Sequence, residues 1–221
     1  MKAATTKTAT ANRGRPATKC GRSTAPHPPG WRTPTPAEVA AADGTTLRDV
    51  LAPGVRTLFC GINPSLYSAA VGRQFARPGN RFWPALHDGG FTPRLFHPSE
   101  DMGLIDHGCG ITNLASRATR RADELAPEEL IEGAAELAEK VTRCGVRVVA
   151  FLGITAYRTA FAEPKAVIGP QNRTAGSATV WVLPNPSGLN AHYQRPDFAR
   201  LMTELREAVH GEPAAPPARP R

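Results

Sequence analysis

Apolar and polar positions fall along the chain in short blocks that read as strands and helices in turn. Val55 to Cys60 is an apolar run launched by Pro53-Gly54 and stopped by Gly61 and Pro64, which predicts a short buried strand. Leu66 to Val71 then predicts a short turn or helix, and Arg81 to Asp88 a helix capped by Asn80 and ended by Gly89-Gly90. Residues 91–108 are irregular, with one helical turn at Ser99 to Met102, before a strand at Cys109 to Leu114. Leu130, Ala134, Leu137 and Val141 recur at spacings of three and four, predicting a helix from Pro127 to about Cys144. Glu128 and Glu129 suit its positive end, and Glu132, Glu136 and Glu139 its solvated face.

Val146 to Leu152 is almost continuously apolar, as in a parallel strand covered on both faces, and Gly153 turns it into a helix over Ile154 to Phe161. Residues 163–177 read as loop, Thr179 to Leu183 as the last strand and Asp197 to Val209 as the closing helix. Near the start, Pro-Ala-Glu-Val opens a short helix at Ala37, and Thr46 to Leu51 reads as another. Strands alternating with helices predict a single α/β domain over 38–210: a three-layer α/β/α arrangement around a mainly parallel sheet.

Two strand ends share one build. Gly61-Ile62-Asn63-Pro64-Ser65 follows the first strand, and Pro184-Asn185-Pro186-Ser187-Gly188-Leu189 follows the last. In an open α/β sheet, ligands bind outside the carboxyl ends of the strands, so both loops are candidates for one site. An ordinary strand-to-helix turn is the competing reading of either loop alone.

Charge sharpens the division of the chain. Residues 1–37 carry seven basic residues and no acid, whereas 38–210 hold 18 of each sign, so the net charge of +8 belongs almost wholly to the N-terminal tail. That tail, rich in Thr, Ala and Pro, is expected to be disordered and to attract phosphates without sequence preference; a merely solubilising leader is the alternative. The Pro-rich residues 211–221 are likewise expected to be disordered. No apolar run approaches the roughly 18 residues of a membrane span, and no apolar signal segment is visible, so a cytoplasmic protein without membrane partners is expected. Cys20, Cys60, Cys109 and Cys144 lack metal-ligand spacing, and no metal or cofactor is expected.

The chemistry on offer is that of amides. Neither loop has a Ser-His-Asp set or a phosphate-binding glycine loop. Asn63 and Asn185 cannot act as strong bases, but an amide can accept a hydrogen bond from water and orient it. That suits a reaction whose leaving group departs early, such as N-glycosidic cleavage through an oxocarbenium-like transition state. Gly61, Ile62 and the Phe75 region offer backbone donors for the departing base, and Phe75 a flat surface.

Gly61-Ile62-Asn63-Pro64, then Phe75-Ala76-Arg77-Pro78-Gly79-Asn80-Arg81-Phe82-Trp83, then Asn185-Pro186-Ser187-Gly188-Leu189 resemble the motifs of the mismatch-specific uracil/thymine-DNA glycosylases. Weaker matches at Ile111-Thr112-Asn113-Leu114 and Ala150-Phe151-Leu152-Gly153 lie between them, and the resemblance spans about 50–208. It implies a uracil-DNA-glycosylase-like fold and a catalytic Asn63 that positions water, with Asn185 shaping the pocket and holding the sugar-phosphate. It further implies a base pocket of Gly61, Ile62, Ser68, Phe75 and Asn80, in which Ser68 lies near C5 of the ring. Ser187, Gly188 and Leu189 would meet the DNA, with Gly188 and Leu189 as the wedge entering the duplex where the base left. His192 stands where relatives can place an arginine that reads the opposite strand, and Arg117, with Arg120 and Arg121, would hold phosphates. Ser65 replaces the family's usual glycine, which alters the room around the pyrimidine.

The activity implied is monofunctional removal of uracil, chiefly opposite guanine, from double-stranded DNA by a monomer, with ethenocytosine and other damaged bases as further substrates. Two other classes remain open at this stage: a non-enzymatic DNA-binding protein acting through its tail, and a nucleoside hydrolase using the same pocket.

Overall fold

Residues whose side chains must be dry on both faces form the centre of the molecule. β1 (Thr57–Gly61), β2 (Cys109–Asn113) and β3 (Val148–Leu152) are buried at every position in this computed structural model, which describes residues 29–210. Residues 1–28 of the tail expected over 1–37, and the whole of the tail expected over 211–221, lie outside the described residues. With β4 (Gly169–Ala175) and β5 (Ala178–Leu183) the sheet runs in the order β2-β1-β3-β5-β4. Phe59 pairs with Ile111 on one side and Ala150 on the other, and Ala150 with Trp181, all in parallel register; β4 alone is antiparallel, to β5.

The two-residue period of the strands divides the core between the faces. Leu58, Cys60, Val149, Phe151 and Val182 pack beneath α4 (Pro127–Cys144) and α5 (Ile154–Ala160), against Leu137, Val141 and Tyr157. Phe59, Ile111, Ala150 and Leu152 face the other way, onto Phe82 and Leu86 of α3 (Phe82–Asp88) and Phe198 and Met202 of α6 (Arg195–His210). The three-layer α/β/α reading therefore holds, and all four parallel strands end at one edge.

Several expectations are corrected. Residues 46–51 are extended rather than helical: Val50 exchanges two hydrogen bonds of 2.8 Å with Ile111, covering the outer border of β2. The expected loop at 163–177 contains β4, whose polar sequence Gly-Pro-Gln-Asn-Arg-Thr-Ala hides the strand because it borders the sheet and buries only its two end residues. The irregular stretch at 91–108 is largely a 3-10 helix, Pro98–His107. Helix α3 begins at Phe82, with the Asn80 oxygen accepting from the Phe82 N–H at 2.9 Å, so Asn80 holds the turn one residue ahead of the cap.

Order also begins before residue 38. α1 (Pro36–Ala41) starts with a Thr35/Glu38 capping box, and Trp31 sets its ring edge-on to His97 at 4.5 Å. α2 (Leu66–Val71) is capped by Ser65. Among the described residues, no helix is long and apolar enough to cross a membrane.

Candidate active site

Asn63 follows β1 and Asn185 follows β5, with β3 between them, so the two amides share an edge and are separated by about two strand spacings, roughly 10 Å. The junction is Gly153, which follows β3: a methyl group built there would meet Ile62 at 3.0 Å and the Asn185 Cβ at 3.9 Å.

Partners that can only give or only take fix the polarity of each amide. The Asn63 Nδ2 donates to the Arg117 carbonyl at 3.1 Å and to the Thr119 hydroxyl at 2.7 Å. A carbonyl accepts only, and the Thr119 hydroxyl already donates to the Arg121 carbonyl at 2.7 Å, so the NH2 end must face both. The Asn63 Oδ1 takes no hydrogen bond among the described residues. At Asn185 the order is reversed: its Oδ1 accepts from the Ser187 N–H at 3.0 Å, and its NH2 end meets no acceptor among the described residues. One loop offers an acceptor and the other a donor.

A third amide, which the sequence reading quoted only within a weak motif, completes the floor. Asn113 ends β2 beside Gly61, and a Cβ on Gly61 would sit 2.4 Å from the Asn113 Oδ1 and 3.2 Å from the Phe75 ring. The Arg48 carbonyl receives the Gln74 Nε2 at 2.8 Å, so Gln74 turns its oxygen to the Asn113 Nδ2 at 3.2 Å. The oxygen of Asn113 is thereby aimed at the space beside Gly61. Gln74, Asn113 and Thr119 are buried polar residues, and burial is the signal that singles them out; their sequence context does not.

Phe75 is held in the left-handed region at φ 51°, a conformation that costs a non-glycine residue about 1–3 kcal/mol and is found preferentially at functional sites. Its neighbours hold it there. The Trp83 indole donates to the Gln74 carbonyl at 3.2 Å, and the Ala76 N–H donates to the Ser68 hydroxyl at 3.1 Å. Phe75 stacks on Phe82 with centroids 4.2 Å apart, and its own N–H meets no backbone acceptor among the described residues. Ser68 is buried, and its hydroxyl also receives the Ser65 hydroxyl at 3.0 Å, so it braces the Phe75 loop from within.

The loop after β5 carries Leu189, which is 79% exposed, beside exposed Gly188 and His192. Arg81 builds this loop from beneath: its guanidinium donates to the carbonyls of Asn190 at 2.9 Å and Tyr193 at 2.8 Å, and its N–H to the Pro186 carbonyl at 2.9 Å. The Ser187 hydroxyl accepts from the Leu189 N–H at 3.3 Å. Arg117 reaches the site through its carbonyl only. Its guanidinium is spent on Glu129, at 2.6 and 2.8 Å, and this pairing with the Ala126 N–H holds the Glu129 carboxyl down at about 2. Arg121 likewise pairs with Asp123. Burial pushes the Cys60 thiol up, and that of Cys109 up to about 12, so neither supplies a thiolate. Among the described residues no cluster of three or more metal-ligating side chains occurs.

Comparison with known proteins supplies the family and the fold. The model of the uracil DNA glycosylase superfamily matches residues 48–208, and the chain belongs to that superfamily. It is thus a DNA glycosylase, a hydrolase whose substrate is DNA. The fold is shared with the solution NMR structure of a candidate uracil DNA glycosylase from Methanosarcina acetivorans, at 20% identity and a TM-score of 0.51, covering 73% of this chain and 97% of that one.

Proposed function

We propose that the protein removes uracil, chiefly from G·U mismatches in duplex DNA, by monofunctional hydrolysis that leaves an abasic site, with ethenocytosine and other damaged bases as further substrates. The orientation of Asn63 carries this reading. With its NH2 end anchored on Arg117 and Thr119, its oxygen accepts one proton of a water and directs the water's lone pair at C1′.

The base occupies the space between Gly61, Phe75 and Asn113. Its ring lies against Phe75, its N3–H donates to the Asn113 oxygen, and the Phe75 N–H bonds a carbonyl oxygen whose charge grows as the bond to C1′ lengthens. An amide cannot take the water's proton in the ground state, so the bond to C1′ breaks first and the base departs as an anion; water then adds to the oxocarbenium carbon and gives up its proton to solvent. The NH2 end of Asn185 suits a sugar-phosphate oxygen. Leu189 enters the gap left by the extruded base, at a cost of a few kcal/mol that is smallest for a mismatch.

The test is a duplex oligonucleotide with one G·U pair, incubated with protein and then treated with alkali. A break that requires the alkali is expected. Asn63→Ala is expected to lose about 10²–10³ in turnover while keeping its melting temperature and duplex affinity. Intact strands with folded protein, or full turnover by Asn63→Ala, overturn the reading.

A further inference from the structure

The arginines near the site fall into two groups. Arg73 holds Asp101, Arg117 holds Glu129, Arg121 holds Asp123, and Arg81 holds carbonyls of the loop after β5. The guanidinium groups of Arg77 and Arg120 hold no carboxylate or carbonyl among the described residues, and both residues are exposed. These two line a single groove of about 440 Å³ between α1 and α2. Pro34, Val39, Leu66 and Tyr67 give it apolar walls, and Ser65 also lines it.

The groove is wired to the site through the chain itself. Arg120 follows Thr119, whose hydroxyl anchors Asn63, and the Thr119 N–H donates to the Pro64 carbonyl at 3.3 Å. Arg77 lies two residues after Phe75, and Ser65 two residues after Asn63. Two unneutralised cations over an apolar trough, one or two residues from the groups that face the reacting sugar, call for an occupant with anionic edges and a less polar middle. A nucleotide within a strand has that build, with a phosphate on each side of a sugar and a base. The chain's own basic tail does not, since residues 1–28 carry only positive charge and would be repelled.

We propose that this groove seats the nucleotide adjoining the extruded one on the same strand, with Arg77 and Arg120 bonding its phosphates and Tyr67, Leu66 and Val39 taking its sugar and base edge. The assignment rests on the glycosylase reading for the position of the strand. It differs from the expected basic cluster: Arg120 acts with an arginine from another loop, and Arg117 and Arg121 are internally paired.

The experiment compares wild type, the double variant Arg77→Ala/Arg120→Ala, and the control Arg143→Ala/Arg147→Ala. The control removes the same charge from exposed positions at the amino-terminal end of β3, the opposite edge of the sheet. Duplex affinity is read by fluorescence anisotropy across a salt series, and KM and single-turnover rate on the G·U duplex. For the groove variant, the plot of log affinity against log salt should be shallower by about 2, KM about tenfold higher or more, and the saturated single-turnover rate within about twofold of wild type. The control should keep the wild-type slope. A shorter set of oligonucleotides, with uracil at one terminus or the other, should abolish the variant's defect for one placement and retain it for the other.

Equal slopes in all three proteins, an equal change in both doubles, or a defect indifferent to uracil placement overturns the groove assignment. If wild type binds but cuts nothing, the glycosylase reading fails instead, and the salt slopes still decide whether the groove takes phosphates.

Discussion

A carboxamide has two unlike ends, and at ordinary temperature nothing in the side chain prefers one facing over the other; its neighbours decide. At Asn63, Asn113 and Asn185 the deciding neighbours are backbone groups of fixed polarity, the first and last directly and Asn113 through Gln74. Gly61 makes this arrangement possible by having no side chain. The prediction at this scale is that Gly61→Ala drives its methyl into the Asn113 oxygen, 2.4 Å away, destabilising the protein by about 1–3 kcal/mol and abolishing turnover. Urea melts and the G·U assay read both effects. In the double variant Gly61→Ala/Asn113→Ala stability is expected to return and turnover to remain lost. Recovery of both would show that the Asn113 oxygen has no part in the chemistry. The Asn-Pro pairs were legible in the sequence because Pro and Gly punctuate a strand end. Gln74 and Thr119 were not, since a polar residue in a loop gives no sign that it is buried until the loop is folded against its neighbours.

Among the elements, those with a one-sided or wholly apolar pattern were read close to their true bounds: α4, β1 and β3 formed where periodicity or a continuous apolar run placed them. β4 and the extended segment at 46–51 were missed. Both border the sheet, where backbone pairing rather than burial sets the conformation, and pairing with a distant segment leaves little mark on local sequence. The loop after β5 was legible from the Asn-Pro pair that ends the strand, but its support from Arg81 is a contact across more than a hundred residues. That contact is open to test. Arg81→Ala removes the donor to the Asn190 and Tyr193 carbonyls and leaves the tip around Leu189 without its base. Turnover on G·U duplex should fall about tenfold or more, while excision from single-stranded uracil DNA, which needs no wedge, changes by less than about threefold. An equal loss on both substrates would assign Arg81 to general folding.

For the whole molecule, the ion pairs define how acid acts on it. Glu38, Glu100 and Glu129 are each lowered from 4.5 to about 2, chiefly by their hydrogen bonds to Arg32, Arg94 and Arg117. A carboxyl whose folded value is depressed stabilises the fold above its unfolded value and loses that contribution as pH falls through the folded one. As far as these pairs decide it, stability in urea melts should therefore be independent of pH near neutrality and weaken between about pH 4.5 and 2. Because the pairs are solvent-exposed, about 1 M salt should flatten that decline. A profile unchanged by Glu129→Gln in the acid range would remove Glu129 from the account.

The two borders of the sheet differ in sequence but reach the same end. On one side, Val50 takes up the outward-facing groups of Ile111; on the other, Pro170 brings no donor, the register slips between Gln171 and Thr174, and Arg173 adds charge. Neither flank offers a second copy a seam on which to crystallise strand by strand. Copies crowded onto the same stretch of DNA thus meet without a continuous strand edge along which to fuse into an aggregate.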